Sequence, residues 1–120
     1  MASTVYDALA NEWLAILQET TCYASLHYEV PSTDNPLASE ADSPSYTRSM
    51  FLWTPGGTRT LSNLEGLQWL NLEDITIIGV GAMNAPVGGQ LLLFFQLDDP
   101  IPINGRGSWS LGAGELFVRV

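Results

Sequence analysis

The chain has 120 residues, a size that builds one domain around one hydrophobic core. Its 13 acidic residues are opposed by four arginines and no lysine, which gives a formal net charge of −9. This charge excludes nucleic-acid binding, which needs a basic patch, and argues against docking on an anionic membrane surface.

The N-terminal segment, residues 1–21, is predicted to hold the one helix of the chain, over residues 4–19. Thr4 followed by Asp7 has the spacing of a helix N-cap with an acid three residues on. Apolar side chains then recur at helical spacing and form one stripe, made of Tyr6, Leu9, Ala10, Trp13, Ile16 and Leu17. We interpret this stripe as a docking face, and its candidate interface residues are Tyr6, Leu9, Trp13 and Leu17.

From residue 22 onward the apolar period changes from 3.6 to 2, which is typical of half-buried strands. Residues 31–45 carry three prolines and three acids and are predicted to form a long surface loop. Residues 75–82 are nearly continuous in apolar side chains, which indicates a central strand. Residues 90–97 are predicted to be a second central strand, ended by the acids and proline of 98–100. The predicted strands are 22–29, 46–53, 58–62, 66–70, 75–82, 90–97, 108–111 and 115–120, with an edge segment at 101–103.

About eight short strands at regular spacing after one helix predict an all-β fold. We expect an antiparallel β-sandwich of jelly-roll type over residues 22–120, preceded by the N-terminal α-helix. Helical segments are missing between the later strands, which argues against a parallel βαβ fold. The whole chain, residues 1–120, is predicted to be a single domain.

Cysteine content and the start of the chain suggest where the protein folds. Cys22 is the only cysteine, so no internal disulfide can form. Residues 1–4 lack the charged and apolar regions of a signal peptide, and no apolar run reaches the roughly 18 residues of a membrane span. We expect a chain that folds in a reducing cytoplasm without a membrane anchor.

The two most reactive side chains are expected to be structural. His27 is the only histidine, and the strand alternation places it on the polar face with Ser25. Cys22 falls on the opposite face of the same strand, so His27 is not expected to activate its thiol. We predict an ordinary surface histidine and a packed cysteine, and no zinc site.

Acidic pairs occur at 73–74 and 98–99, and carboxylate pairs can bind calcium or hydrolyse glycosides. Both pairs stand where predicted strands begin or end, where acids commonly form turns. Phosphate-binding and nucleophile-elbow motifs are also missing. We therefore expect no metal, no cofactor and no enzymatic activity.

Trp69 and Trp109 are the candidate exposed aromatic contacts, because aromatic faces can stack on sugar rings. They lie in weakly patterned strands. The alternative, that these large side chains fill the core, is favoured because aromatics dominate cores and interfaces.

Several segments of the sequence, taken in chain order, resemble small virion proteins of tailed bacteriophages, of the head-decoration or tail-fibre-like type. They are residues 7–14 (DALANEWL), 46–48 (YTR), 62–63 (SN), 77–80 (IIGV), 88–92 (GGQLL), 104–105 (NG) and 112–118 (GAGELFV). The resemblance covers nearly the whole chain and carries no catalytic residues. It implies a non-enzymatic β-sandwich that assembles on a virus particle as a homo-oligomer, with a trimer favoured.

The leading hypothesis is a capsid decoration or cement subunit that binds across neighbouring shell proteins, in particular the major capsid protein. The first alternative is a minor tail or tail-fibre adhesin module that contacts other tail proteins and the host surface, including a host glycan. The second alternative is a free carbohydrate-binding module. On the leading hypothesis the protein resides in the virion after synthesis in the host cytoplasm.

Overall fold

The structure is a computed structural model that describes residues 3–120. Met1 and Ala2, part of the segment used above to exclude a signal peptide, lie outside the described residues. The helices are α1 (Asp7–Gln18) and a short 3-10 helix (Pro36–Ser39). The strands are β1 (Cys22–His27), β2 (Ser49–Phe51), β3 (Trp53–Gly57), β4 (Thr60–Asn63), β5 (Leu67–Leu72), β6 (Ile75–Met83), β7 (Leu91–Ile103), β8 (Gly107–Leu111) and β9 (Phe117–Arg119).

The strands form three antiparallel sheets. The largest has the order β2-β1-β6-β7, the second has the order β3-β4-β9, and β5 pairs with β8. The prediction of a mostly β chain with antiparallel sheets and one α-helix is confirmed for the described residues. The strand count differs, because 46–53 divides into β2 and β3 while 90–97 and 101–103 join into β7.

The hydrophobic core combines buried side chains from all three sheets with Leu14 of α1. β6 is a central strand, as predicted, with β1 on one side and β7 on the other. Its glycines and small apolar residues let both neighbours pack closely. The largest fully buried apolar side chains are Leu26, Leu67, Leu72, Ile77, Val80 and Met83.

The helix begins later and turns a different face inward than the sequence predicts. It starts at Asp7, and its N-cap residue is Tyr6, with no side-chain hydrogen bond. The predicted Thr4 cap is therefore wrong. Its buried residues are Ala10 and Leu14, which are separated by one turn. A small alanine lets the helix lie close to the sheet, so the larger side chains beside it stay outside.

β7 is an edge strand, and the prediction of a central strand at 90–97 is wrong. It continues through Asp98, Asp99 and Pro100, where its pairing with β6 has a bulge, and β6 is its one neighbour among the described strands. Proline lacks the N–H that a second neighbour would need, so an edge strand tolerates Pro100 and Pro102 where a central strand would not.

The predicted surface loop, 31–45, is only partly exposed. It contains the 3-10 helix, and Glu40 then forms an isolated β-bridge with His27. Ser39 and Ala41 are buried by this contact. The loop therefore covers the end of β1, and it carries the polar groups of the first cluster below.

Candidate functional site

His27 is fully buried, which overturns the prediction of a surface histidine. Its Nε2 lies 2.8 Å from Ser25 Oγ, and its Nδ1 lies 2.9 Å from Ser39 Oγ. A hydroxyl both donates and accepts, so the two serines satisfy either tautomer of the neutral ring. Burial lowers the pKa of His27. The imidazole is therefore held neutral inside the protein.

Two glycines on the neighbouring strand explain this burial. Gly79 pairs with His27 and Gly81 pairs with Ser25, so β6 presents no side chains over them. The ring of Phe94, from β7, occupies the space and meets the imidazole edge to face. Glycines alternate with other residues at positions 79 and 81 of β6. This alternation is the feature of the sequence from which the burial of Ser25 and His27 could have been predicted.

A serine and a histidine in contact invite comparison with a nucleophile and its base. Catalysis needs the serine oxygen to be open to a substrate. Ser25 and His27 are both completely buried, and Ser39 is nearly so. The hydrogen bonds that join Ser25, His27 and Ser39 therefore form a structural network and not an active site.

A second polar cluster joins the loop before β2 to the turn before β7. Arg48 Nε and Nη2 each donate to a different oxygen of Glu40 at 2.7 Å, a bidentate ion pair. Arg48 Nη1 also donates to the carbonyl oxygens of Ala85 at 2.7 Å and Gly88 at 2.8 Å. These bonds hold the 84–90 turn against the 40–48 segment.

Tyr46 completes this cluster. Its hydroxyl donates to Glu40 Oε2 at 2.6 Å and accepts the backbone N–H of Leu26 at 3.0 Å. Burial would raise the pKa of Glu40, but the hydrogen bonds from Arg48 and Tyr46 outweigh it and lower that pKa. Every polar group of the cluster has a partner, so its role is to fix two loops.

Cys22 is buried and accepts a hydrogen bond from Trp53 Nε1 at 3.2 Å. Burial raises the pKa of its thiol, so the nucleophilic thiolate is disfavoured. This agrees with the prediction of a packed structural cysteine.

Trp69 is only 2% exposed, so it is not the exposed contact considered above, and the favoured alternative of a core side chain holds at this position. Its Nε1 donates to the Ala24 carbonyl oxygen at 3.3 Å. Its ring stacks on the half-buried Trp109, with the ring centroids 5.5 Å apart. The two residues face each other across the β5–β8 pair, which hides one face of each indole. A sugar platform of both rings is therefore not present.

Of the two acidic pairs, Glu73 and Asp74 line a surface cavity of about 380 Å³ together with Asp42. Asp74 accepts a hydrogen bond from the backbone N–H of Gly105 and so supports a turn. Within residues 3–120, no group of three or more His, Cys, Asp or Glu side chains is arranged to hold a metal ion. No helix in that range is long and apolar enough to cross a membrane.

The most distinctive surface feature is an apolar groove of about 430 Å³ between α1 and the edges of two sheets. β7 and β9 are the outermost strands of their sheets, and both contribute to it. Among residues 3–120, no charged side chain lines the groove, although the chain carries a net charge of −9. Its main apolar lining residues are Trp13, Ile16, Leu17, Leu92, Leu93 and Val118.

The groove includes part of the predicted helix interface. Trp13 and Leu17 line it, and Trp13 remains 47% exposed. Tyr6 and Leu9 are exposed on the same helix but do not line the groove. Sequence periodicity missed the strand residues Leu92 and Val118, because their approach to α1 is a tertiary contact. Contiguous exposed apolar surface of this kind marks interaction sites.

No family model matches the chain, and no curated protein sequence matches it.

Proposed function

We propose that the chain is a non-enzymatic structural subunit of a bacteriophage virion that binds neighbouring virion proteins through the apolar groove. Its sheets would form the jelly-roll-like sandwich expected from the strand spacing. The resemblance of its segments to small tailed-phage virion proteins supports the virion setting. The groove supports the mode of binding.

One observation carries the proposal: large apolar side chains are exposed beside the groove while the reactive groups are hidden. Ile16 is 67% exposed and Leu92 is 40% exposed, next to Trp13. His27 and Cys22, which an enzyme would need at its surface, are completely buried. This distribution suits adhesion to another protein better than chemistry.

The energetics of such binding are favourable when many copies act together. Fully burying one large apolar side chain contributes about 1.5–3 kcal/mol, against which the costs of association must be set. A few side chains therefore give a weak single contact. A subunit that bridges two neighbours on a symmetric shell gains further affinity from multivalency.

Our leading location is the capsid surface, where the chain would act as a decoration or cement subunit on the major capsid protein. The alternative location is the tail, as a minor tail or fibre module. Quantitative gel analysis of virions from the phage that encodes the chain separates them. Hundreds of copies per particle indicate the shell, a handful indicate the tail, and absence from purified virions contradicts the proposal.

The groove itself is tested with Trp13→Asp combined with Ile16→Asp. Both positions are exposed, so we expect the fold to survive and incorporation into particles to be lost. The matched control is Leu70→Asp, at a side chain that is 54% exposed and outside the groove. Equal incorporation of the groove variant and the control would show that the groove is not the docking site.

A further inference from the structure

The turn between β7 and β8 contains the one asparagine of the chain that a glycine follows. The chain has six asparagines, and the residue after each of the other five has a side chain. A side chain at that position hinders the approach of the next backbone nitrogen to the asparagine amide, whereas glycine leaves the approach open. Asn104 and Gly105 are both exposed, and Gly105 has a φ of 65°. This pair therefore has the sequence and the exposure that favour deamidation.

A second turn lies beside this one. Residues 73–74 connect β5 to β6, and residues 104–106 connect β7 to β8. Because β5 pairs with β8 and β6 pairs with β7, both turns cross between the same two sheets. The carboxylate of Asp74 accepts a hydrogen bond from the backbone N–H of Gly105 and so joins the two turns. The nitrogen that must attack Asn104 in a deamidation is therefore the one that Asp74 holds.

We propose that Asn104 is a site of spontaneous deamidation and that Asp74 sets its rate in the folded protein. In this reaction the Gly105 nitrogen attacks Cγ of Asn104, a new C–N bond forms, and the bond from Cγ to Nδ2 breaks. The amide hydrogen of Gly105 leaves with Nδ2 as ammonia. Water then opens the cyclic imide at either of its carbonyls, which gives aspartate or isoaspartate. The modification uses no part of the groove and does not depend on the proposed function.

The hydrogen bond from Gly105 to Asp74 slows the attack. The nitrogen must lose its proton and approach the side chain of Asn104, but the bond retains the proton and fixes the direction of the N–H. A carboxylate is too weak a base to remove an amide proton, so it restrains the nitrogen without activating it. A hydrogen bond to a charged acceptor is also among the stronger ones in proteins. Deamidation therefore proceeds from molecules in which the turn has opened.

Deamidation of Asn104 would weaken the contact between the two turns. Asn104 and Asp74 line the same surface cavity of about 290 Å³, so the product places a second carboxylate near the first. Isoaspartate also lengthens the main chain within the turn. Leu72 and Ile103 are buried at the adjoining strand ends, so a loosened turn exposes apolar surface. Because ammonia is lost, the modified fraction should grow with the age of the protein.

Three variants test the role of Asp74, with deamidation of each folded chain at neutral pH followed by peptide mass spectrometry. Asp74→Ala removes the acceptor, so we expect Asn104 to deamidate about tenfold faster, the factor typical of losing a hydrogen bond to a charged group. Asp74→Asn keeps an oxygen that can accept the same N–H, and Glu73→Ala removes only the neighbouring carboxylate. Both should stay near the parent rate. An unchanged rate in Asp74→Ala, or a rise of the same size in either other variant, would overturn this role.

A measurement on the parent chain covers the case in which a variant fails to fold. In guanidinium chloride, which opens the turn, Asn104 should deamidate at least about tenfold faster than in the folded chain. Asn84 lies in the same tryptic peptide, residues 60–106, and is the internal reference. Equal rates in the folded and unfolded chain contradict the protection by Asp74. A rate at Asn104 no higher than that at Asn84 in the unfolded chain contradicts the site itself.

Discussion

The ring of Phe94 meets the imidazole of His27 edge to face, with the two centroids 5.6 Å apart. The contact crosses β6, whose Gly79 lies between the two residues in the sheet and leaves room for the ring. A Cβ on Gly79 would overlap Phe94 and would lie 2.7 Å from the carbonyl oxygen of Phe95. The burial of His27 thus depends on a glycine in the next strand.

We predict that Gly79→Ala destabilises the protein by about 1–3 kcal/mol, the usual cost of overpacking, because the added methyl group displaces Phe94. Urea unfolding measures the change. Gly112→Ala is the control, since its nearest neighbour is the flexible side chain of Glu115 at 3.3 Å. An equal loss of stability in both variants would contradict the role assigned to Gly79.

The pH dependence of stability should report the neutral state of His27. Burial holds the folded pKa below the ordinary histidine value of about 6.5, so as pH falls below 6.5 the unfolded chain binds a proton that the folded chain does not bind. The free energy of unfolding should therefore fall as the pH drops below 6.5, by at most about 1.4 kcal/mol per pH unit.

His27→Gln is the variant for this test, and its unfolding is followed by urea titration at each pH. It will lower stability at every pH because the packing is changed. The informative quantity is the slope of the free energy of unfolding against pH, which we expect to flatten just below pH 6.5. An unchanged slope would mean that other groups cause the pH dependence.

The local pattern of apolar and polar residues predicts much of this fold, because that pattern determines which segments form β-strands. The alternation after residue 22 correctly indicates β1, and the apolar run at 75–82 correctly indicates the central strand β6. Burial of His27 could not be predicted in this way. It depends on Gly79 and Phe94, which are distant in sequence and come together only in the folded sheet.

The same limit applies to the candidate site. Helical periodicity indicates an apolar stripe that includes Trp13, but the periodic pattern does not reveal which side of the stripe the sheet will cover. The structure covers Ala10 and Leu14 and leaves Trp13 largely outside. The contribution of Leu92 depends on β7 being an edge strand, which is a property of the sheet order.

The buried ion pair leads to a prediction about Glu40. Its side chain is 12% exposed and that of Arg48 is 5% exposed. Glu40→Gln leaves the arginine buried without a counter-charge, and we expect a loss of about 3–5 kcal/mol in denaturant unfolding. The control is Asp7→Asn, which removes the exposed partner of Arg59 and should cost about 0–1 kcal/mol.

Glu40→Gln should also change how the stability of the protein depends on pH below neutrality. The hydrogen bonds from Arg48 and Tyr46 hold the folded pKa of Glu40 below its ordinary value of about 4.5, so its contribution to stability is complete above pH 4.5 and is lost as the pH falls below that value. Glu40→Gln should therefore differ most from the parent chain at neutral pH and less in acid. A difference that stays constant down to low pH would show that lost packing, and not lost charge, causes the effect.

The two stacked tryptophans should differ sharply in their importance for folding. Trp69 is buried and bonded to the Ala24 carbonyl oxygen, so Trp69→Ala removes a core side chain and should cost about 3–5 kcal/mol. Trp109 packs on it from a half-buried position, so Trp109→Ala should cost clearly less. Urea unfolding followed by circular dichroism measures both. Equal losses, or a stable Trp69→Ala chain, would contradict the core role of Trp69, because a surface aromatic contact can be removed without opening a cavity.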